Sequence, residues 1–218
     1  MGQRLGADRP KALVPLAGKS LLVRTLARFD SLGLLDDAVI VGPPTHRDEF
    51  FKQLNAEFPG YGFHWADGGS ERQVSVCNGL DTLSTDTEIV VIHDAARPFV
   101  TAESVRASIM AARQHGAATV AIPAVDTILV GDNQSFLVDT PDRSLLWACQ
   151  TPQTFRVSVI REAHARASKE DHLGTDDATL VQRTGGRVKL VLGSPLNFKV
   201  TTPEDRALAE RVIEGGLA

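Results

Sequence analysis

Short, wholly apolar runs alternate along the chain with longer stretches in which apolar residues recur every three or four positions. Leu22, Leu26 and Phe29 follow helical spacing and predict a helix over 19–32, with Gly33 as its stop signal. Residues 38–41 read as a buried strand ended by Gly42, Pro43 and Pro44. An amphipathic helix over 47–57, a strand over 61–65 and a helix over 71–83 follow. Ile89, Val90, Val91 and Ile92 are four consecutive branched aliphatics, the pattern of a strand buried on both faces of a sheet. That run stops abruptly at His93, Asp94, Ala95, Ala96, Arg97 and Pro98. In open α/β sheets ligands bind at the carboxyl ends of the strands. Asp94 is therefore expected to point into a small-molecule site, with Ala95 and Ala96 leaving room for a close approach.

The alternation continues. Thr101 should cap a helix ending near residue 115, with Glu103 on its positive end and Gly116 as terminator. Residues 118–122 form a further strand. The period then breaks: 127–130 and 135–139 are short β-like runs joined by Gly131, Asp132, Asn133 and Gln134, a hairpin signal. Helices over 157–168 and 176–184, a strand over 187–192 and a helix over 203–214 complete the pattern. Thr202 caps the last helix and Pro203 sits in its first turn. The expected fold is α/β: a Rossmann-like, mostly parallel twisted sheet with helices on both faces and a protruding β-hairpin arm at about 124–148.

Composition narrows the function classes. A chain of 218 residues suits a single domain with a real core. Its formal net charge of −4 gives a nucleic-acid partner no electrostatic support. No apolar run reaches the roughly 18 residues that a membrane span needs, and the N-terminus has no apolar signal segment. The two cysteines, Cys77 and Cys149, lack metal spacing and imply no disulfide framework. They are expected as small buried hydrophobes in a cytoplasmic protein. A Gly-x-Gly-x-x-Gly segment is absent, which argues against a nucleotide-dependent oxidoreductase.

Candidate chemistry concentrates in a few segments. Gly2, Arg4, Gly6, Arg9 and Lys11 suit a loop whose backbone N–H groups and cations meet phosphates, although a frayed basic terminus has the same composition. The order Gly-x-Arg-Leu-Gly, Pro10-Lys11, then Pro15 to Lys19 resembles the nucleotidyltransferase signature. Further along stand Gly68 to Val76, His93 to Pro98, Asp126-Thr127, Thr140 to Trp147, Gln150 to Gln153 and Asn197 to Thr201. In that order the segments resemble the 2-C-methyl-D-erythritol 4-phosphate cytidylyltransferase family over nearly the whole chain.

The resemblance implies a cytidylyl transfer from CTP to methylerythritol phosphate, with release of pyrophosphate. It implies that Arg4 and Lys11 grip the triphosphate and, with Arg143 and Lys199, form the catalytic set. Gly2, Gly69, Ser70, Arg72, Ser75, Asp94 and Ala95 would surround CTP, and Ser70 stands where some relatives carry an acid. Thr127, Arg143, Thr151 and Lys199 would surround the methylerythritol phosphate. Asp94 would anchor Mg²⁺, and the arm would reach a neighbouring subunit in a homodimer. The family also carries a first strand and an Ala-Ala-Gly turn ahead of the Gly-x-Arg element. This chain begins inside that loop, and a start assigned too late is the expected reason. A ribitol-5-phosphate cytidylyltransferase and a non-catalytic CTP-binding relative share most of these motifs.

Several of these residues have plainer readings. Lys199 could be a solvated residue after a strand, Arg97 a tie within its own loop and His93 a hydrogen-bonded, partly buried side chain. Asp142 and Arg143 could form a local turn. Residues 174–177 read as a helix cap, through Thr175 or Asp176, with a substrate-side role as the alternative.

Overall fold

A computed structural model describes residues 9–35 and 37–217. Gly2 and Arg4 lie outside the described residues. A short hairpin of β1 (Pro15–Leu16) and β2 (Lys19–Ser20) leads into helix α1 (Leu21–Ser31), which Ser20 caps by accepting from the Val23 N–H. Leu22, Leu26 and Phe29 are buried on one face, and Gly33 follows at φ 63°, the left-handed turn that the sequence pattern required. Strand β3 (Ala38–Gly42), helix α2 (Arg47–Glu57) and strand β4 (Phe63–Asp67) come next, and β3 and β4 pair in parallel. Helix α3 (Arg72–Asp81) leads to β5 (Ile89–Ile92). Helix α4 (Ala102–His115) is capped by Thr101 and stopped by Gly116 at φ 89°.

The second half is built on β6 (Ala117–Pro123) and a long strand β9 (Trp147–Arg156). Between them lie β7 (Val130–Gly131) and β8 (Leu137–Asp139), an antiparallel pair. Helices α5 (Val157–Lys169) and α6 (Asp177–Arg183), strand β10 (Lys189–Leu192) and helix α7 (Pro203–Glu214) follow. Strand order in the larger sheet is β10-β6-β9-β5. β10 runs parallel to β6, whereas β9 runs antiparallel to both β6 and β5. Where a mostly parallel sheet was expected, the described pairings are mixed, because β9 had no alternating apolar signature and was not anticipated as a strand.

Alternation along β6 shows how the layers form. Ala118 and Val120 pack with Ala112 of α4 on one face, and Ala117 packs with Phe155, Ile160 and Leu180 on the other. Helix α4 thus covers one side and α5 with α6 the other. A third cluster joins Val14, Leu16 and Leu21 to Phe99, Val200, Ala209 and Val212, and so seats α7 beside the loop after β5.

Two features depart from a closed sheet. Strand β5, expected to be fully buried, is only half-buried along its length. Among the described residues β3 pairs only with β4, and β5 only with β9. Their other edges face a cleft of about 1,500 Å³ lined by Val39, Ile40 and Val41 on one side and Val90, Val91 and Ile92 on the other. The second feature is the segment around β7 and β8. Val125, Leu129, Phe136, Leu137, Val138 and Leu145 are all exposed there, Val125 by 81% and Leu145 by 77%.

Candidate functional site

The upper end of the cleft is where the candidate residues meet. Thr25 donates its hydroxyl to the Ala95 carbonyl (2.9 Å), and the Arg97 N–H closes a turn onto the Asp94 carbonyl (2.9 Å). These bonds fix the chain just past β5. The Val200 N–H then donates to the Ala96 carbonyl (2.9 Å). Phe198 and Val200 pack into the α7 cluster and hold Lys199 between them. A capping box continues the anchor, with Thr202 accepting from the Asp205 N–H while Asp205 accepts from the N–H groups of Thr201 and Thr202. The outcome is an ion pair of 2.8 Å between Lys199 Nζ and Asp94 Oδ2.

Asp94 is surrounded by cations. Arg72 Nε lies 3.9 Å from its Oδ1, and Arg97 Nε lies 3.9 Å from its Oδ2. Burial opposes ionisation of this carboxyl, but Lys199 and then Arg72 outweigh it and hold the group below its ordinary value. Arg72 experiences the same balance from the other side. Burial opposes its charge, and Asp177 and Asp94 together raise it above the usual guanidinium range.

His93 and Thr151 form a fixed relay beneath Asp94. The Asp94 N–H donates to Thr151 Oγ1 (3.1 Å), which lies 3.1 Å from His93 Nδ1. His93 Nε2 lies 3.0 Å from the Arg97 carbonyl, an acceptor only, so this nitrogen carries the proton and Nδ1 accepts from the threonine hydroxyl. Burial pushes the imidazole pKa down to about 4, and Phe29 meets its ring edge-on. His93 is thus a neutral structural link, the plainer of its two readings. Arg97 likewise ties its loop down, donating to the Asn197 carbonyl (2.7 Å) and toward the Cys149 carbonyl (3.4 Å).

The loop before α3 supplies the opposite wall. Gly69, Ser70, Arg72 and Ser75 line the cleft together with Asp94 and Ala95. The Gly69 N–H donates to Ser75 Oγ (2.9 Å), and a Cβ on Gly69 would meet Val74 Cγ1 at 2.3 Å and Cβ at 2.5 Å. Only glycine lets this loop fold back onto the first turn of the helix. Among the described residues no side chain caps α3, and the positive dipole end of such a helix favours an anion.

Lys11, Thr127 and Arg143 belong to other segments. Lys11 opens a turn of 3₁₀ helix (Lys11–Leu13) whose Ala12, together with the preceding Pro10, lines the cleft. Arg143 donates to the Val125 carbonyl (2.9 Å) within the exposed segment that also carries Thr127. Among the described residues, no hydrogen bond or ion pair joins Thr127 or Arg143 to the Asp94 group. Of the two cysteines expected to be buried, Cys77 is half-buried and Cys149 is exposed, with its Sγ 3.3 Å from Asp176 Oδ2. No cluster of three metal-ligating His, Cys, Asp or Glu side chains occurs among the described residues, and none of the described helices is long and apolar enough to cross a membrane.

Three residues joined to the site, His164, Gln153 and Gln73, were not singled out from the sequence, and Asp177 stood in the 174–177 segment read as a helix cap. Asp177 Oδ2 accepts from Arg72 Nη1 (2.7 Å) and its Oδ1 lies 3.1 Å from His164 Nε2. Gln153 accepts from the Asp177 N–H (3.1 Å) and donates to Asp176 (3.0 Å). Gln73 donates to the His172 carbonyl (3.0 Å) and accepts from the Gly174 N–H (2.8 Å). Asp176 is the cap of α6, as one of the two expected candidates. The signal was the pair Asp176-Asp177: one acid suffices as a cap, and the second was free for other work.

Sequence and fold both have relatives among known proteins. The family model for 2-C-methyl-D-erythritol 4-phosphate cytidylyltransferase matches residues 1–215. The chain belongs to that family. It is 46% identical to the 2-C-methyl-D-erythritol 4-phosphate cytidylyltransferase of Geobacillus thermodenitrificans, over all of this chain and 94% of that protein. The crystal structure of the Thermus thermophilus 2-C-methyl-D-erythritol 4-phosphate cytidylyltransferase superposes with a TM-score of 0.79 at 35% identity, covering 94% of each chain. The 4-diphosphocytidyl-2C-methyl-D-erythritol synthase of Anaerococcus prevotii superposes with a TM-score of 0.85 at 27% identity, covering 93% of each. The α/β fold expected from the sequence is the fold of this family.

The neutral state of the half-buried His93 has a consequence for stability. Its folded pKa of about 4 lies below the ordinary value of 6.5, so the unfolded chain binds the extra proton between these values. The contribution is fully present above pH 6.5 and is lost as pH falls toward 4, by about 3 kcal/mol in all. Urea unfolding measured from pH 7 to pH 4 should show this decline, and a His93→Asn variant should show a shallower one. Equal slopes would remove His93 from the account.

Proposed function

We propose that this chain transfers the cytidylyl group of CTP to 2-C-methyl-D-erythritol 4-phosphate, releasing pyrophosphate. The observation that carries the reading is the group of Lys199, Arg72 and Arg97 around Asp94, with Asp94 and Arg72 lining the cleft and Arg72 beginning a helix that no side chain caps among the described residues. A phosphate oxygen of the acceptor attacks the α-phosphorus. The bond from that phosphorus to the α,β-bridging oxygen breaks, and its electron pair leaves with pyrophosphate. The nucleophile is already an anion, so no proton has to be removed. This suits a site whose histidine has both ring nitrogens engaged. The obstacles are repulsion between polyanions and charge growing on the pentacoordinate phosphorus, and fixed cations address both.

Gly2, Arg4 and Lys11 hold the triphosphate in this reading, and Gly69, Ser70, Arg72, Ser75, Asp94 and Ala95 hold the nucleoside and its first phosphate. Thr151 and Lys199 face the acceptor. The donor set fits Mg²⁺: Asp94 offers a carboxylate oxygen at the cleft, and this ion binds through one or two carboxylates plus substrate phosphates. When bound, Mg²⁺ neutralises phosphate charge, and Asp94 would hold it once Lys199 turns to substrate.

Thr127 and Arg143 complete the acceptor site of a second subunit in a homodimer. The support is the density of exposed apolar side chains on residues 125–147, which a lone chain leaves in water. The sheet is doubly wound and mostly parallel once a further strand occupies the cleft between β3 and β5. Two strand edges that have no partner among the described residues and face an apolar cleft support this, since such edges are an aggregation liability. The protein works in the cytoplasm, in keeping with its free thiols.

Three measurements test this reading. Lys11→Ala and Lys199→Ala should each lower turnover 100- to 1,000-fold, equivalent to about 3–4 kcal/mol, with circular dichroism unchanged and with ribitol 5-phosphate a poor acceptor beside methylerythritol phosphate. Near-normal turnover in either variant would sink the role given to that lysine. Sedimentation velocity should give twice the chain mass, and Phe136→Ser with Leu145→Ser should give monomers; a monomeric parent chain would remove the arm from the site. Fusing a five-residue Val/Ile segment with a short loop ahead of residue 1 should raise the melting temperature by at least about 5 °C, and a Gly/Ser segment of equal length should not. Identical melting of the two fusions would show that the cleft takes no strand.

A further inference from the structure

We propose that Asp177, backed by His164, is a positioning residue for the nucleotide side of the site: it holds the Arg72 guanidinium in the cleft and keeps it from collapsing onto Asp94. This rests on the reading of Arg72 as a CTP contact. Asp177 begins α6, yet it is not the cap, because Asp176 accepts from the Thr179 N–H (2.8 Å) and fills that role. The Asp177 side chain is 1% exposed and spends both oxygens on other elements, Oδ2 on Arg72 of α3 and Oδ1 on His164 of α5. His164 is itself 3% exposed, and Gln153 of β9 fixes the Asp177 backbone. Three elements therefore converge on one residue, two of them on its carboxylate.

Fold stability alone is a weak reason for this arrangement, since burying a charged pair costs desolvation that a well-packed apolar pair avoids. The geometry gives a better one. Arg72 is flanked by two acids, Asp177 at 2.7 Å and Asp94 at 3.9 Å. An arginine without the nearer partner would swing to the farther, occupy the carboxylate that Lys199 now pairs, and close the cleft to phosphate. With Nη1 pinned from behind, Nε faces Asp94 and the cleft, and the rotamer entropy of a long side chain is already spent before substrate arrives. The Gln73 pair with His172 and Gly174 ties the next residue of the same helical turn to the same loop. Residues 172–177 thus act as a latch on the start of α3.

The test compares Asp177→Asn, Arg72→Gln, the double variant and Asp177→Glu in steady-state kinetics, in CTP binding by calorimetry and in thermal melts. Asp177→Asn should raise KM and Kd for CTP about tenfold, the loss expected for a charge-assisted hydrogen bond, with KM for the acceptor within about twofold. The double variant should bind CTP no worse than Arg72→Gln alone. Asp177→Glu, which keeps the charge and lengthens the reach, should show a smaller rise and covers the case in which the asparagine variant does not fold. Wild-type CTP affinity in both Asp177 variants beside lost affinity in Arg72→Gln would overturn this inference alone, as would additive losses in the double variant. Wild-type affinity in Arg72→Gln would overturn the assignment of Arg72 and the inference with it.

Discussion

The site depends on one carboxylate held among cations. Asp94 sits where a strand ends, and its ionised form is kept by Lys199 at 2.8 Å and by two arginines slightly farther off. Without that negative charge, three cations would face one another at close range. With it, they are held in place. Much of the surrounding architecture serves this placement: the Thr151–His93–Arg97 relay below, the 198–200 segment pinned by α7 to one side, and the α3 turn opposite.

What the sequence made legible follows local physics. Ser20, Thr101, Asp176 and Thr202 cap helices at starts that the pattern marked, and Gly33 and Gly116 end them with positive φ. These signals act within four residues and need no tertiary knowledge. Strand β9 was not legible for the opposite reason. Its Gln150, Thr151, Gln153 and Thr154 are buried polar residues, satisfied by partners in other elements such as Thr119, Ser194 and Ser108. A strand whose interior side chains are polar has no hydrophobic period to read.

The candidate site divides the same way. Asp94 could be read from its own strand end, because the sheet topology implies where ligands sit. Lys199 looked like a surface residue until the family resemblance placed it, and only Val200 bonding to Ala96 explains why it arrives there. The partnership of Arg72 with Asp177 spans 105 residues: the doubled acid at 176–177 marked a spare carboxylate, but its partner was visible only in three dimensions.

The locked imidazole of His93 carries one more implication. Of the groups packed around Asp94, His93 is neutral down to about pH 4, the Asp94 carboxyl is held below its ordinary value and Arg72 above its own. None of these three changes charge near neutrality, so they form an electrostatic mould of constant shape. A rise in rate near pH 6 would then belong to the acceptor phosphate losing its second proton, whose pKa is about 6 for a phosphate monoester. The pH sensitivity of such a reaction would be a property that the substrate brings with it rather than one the protein imposes.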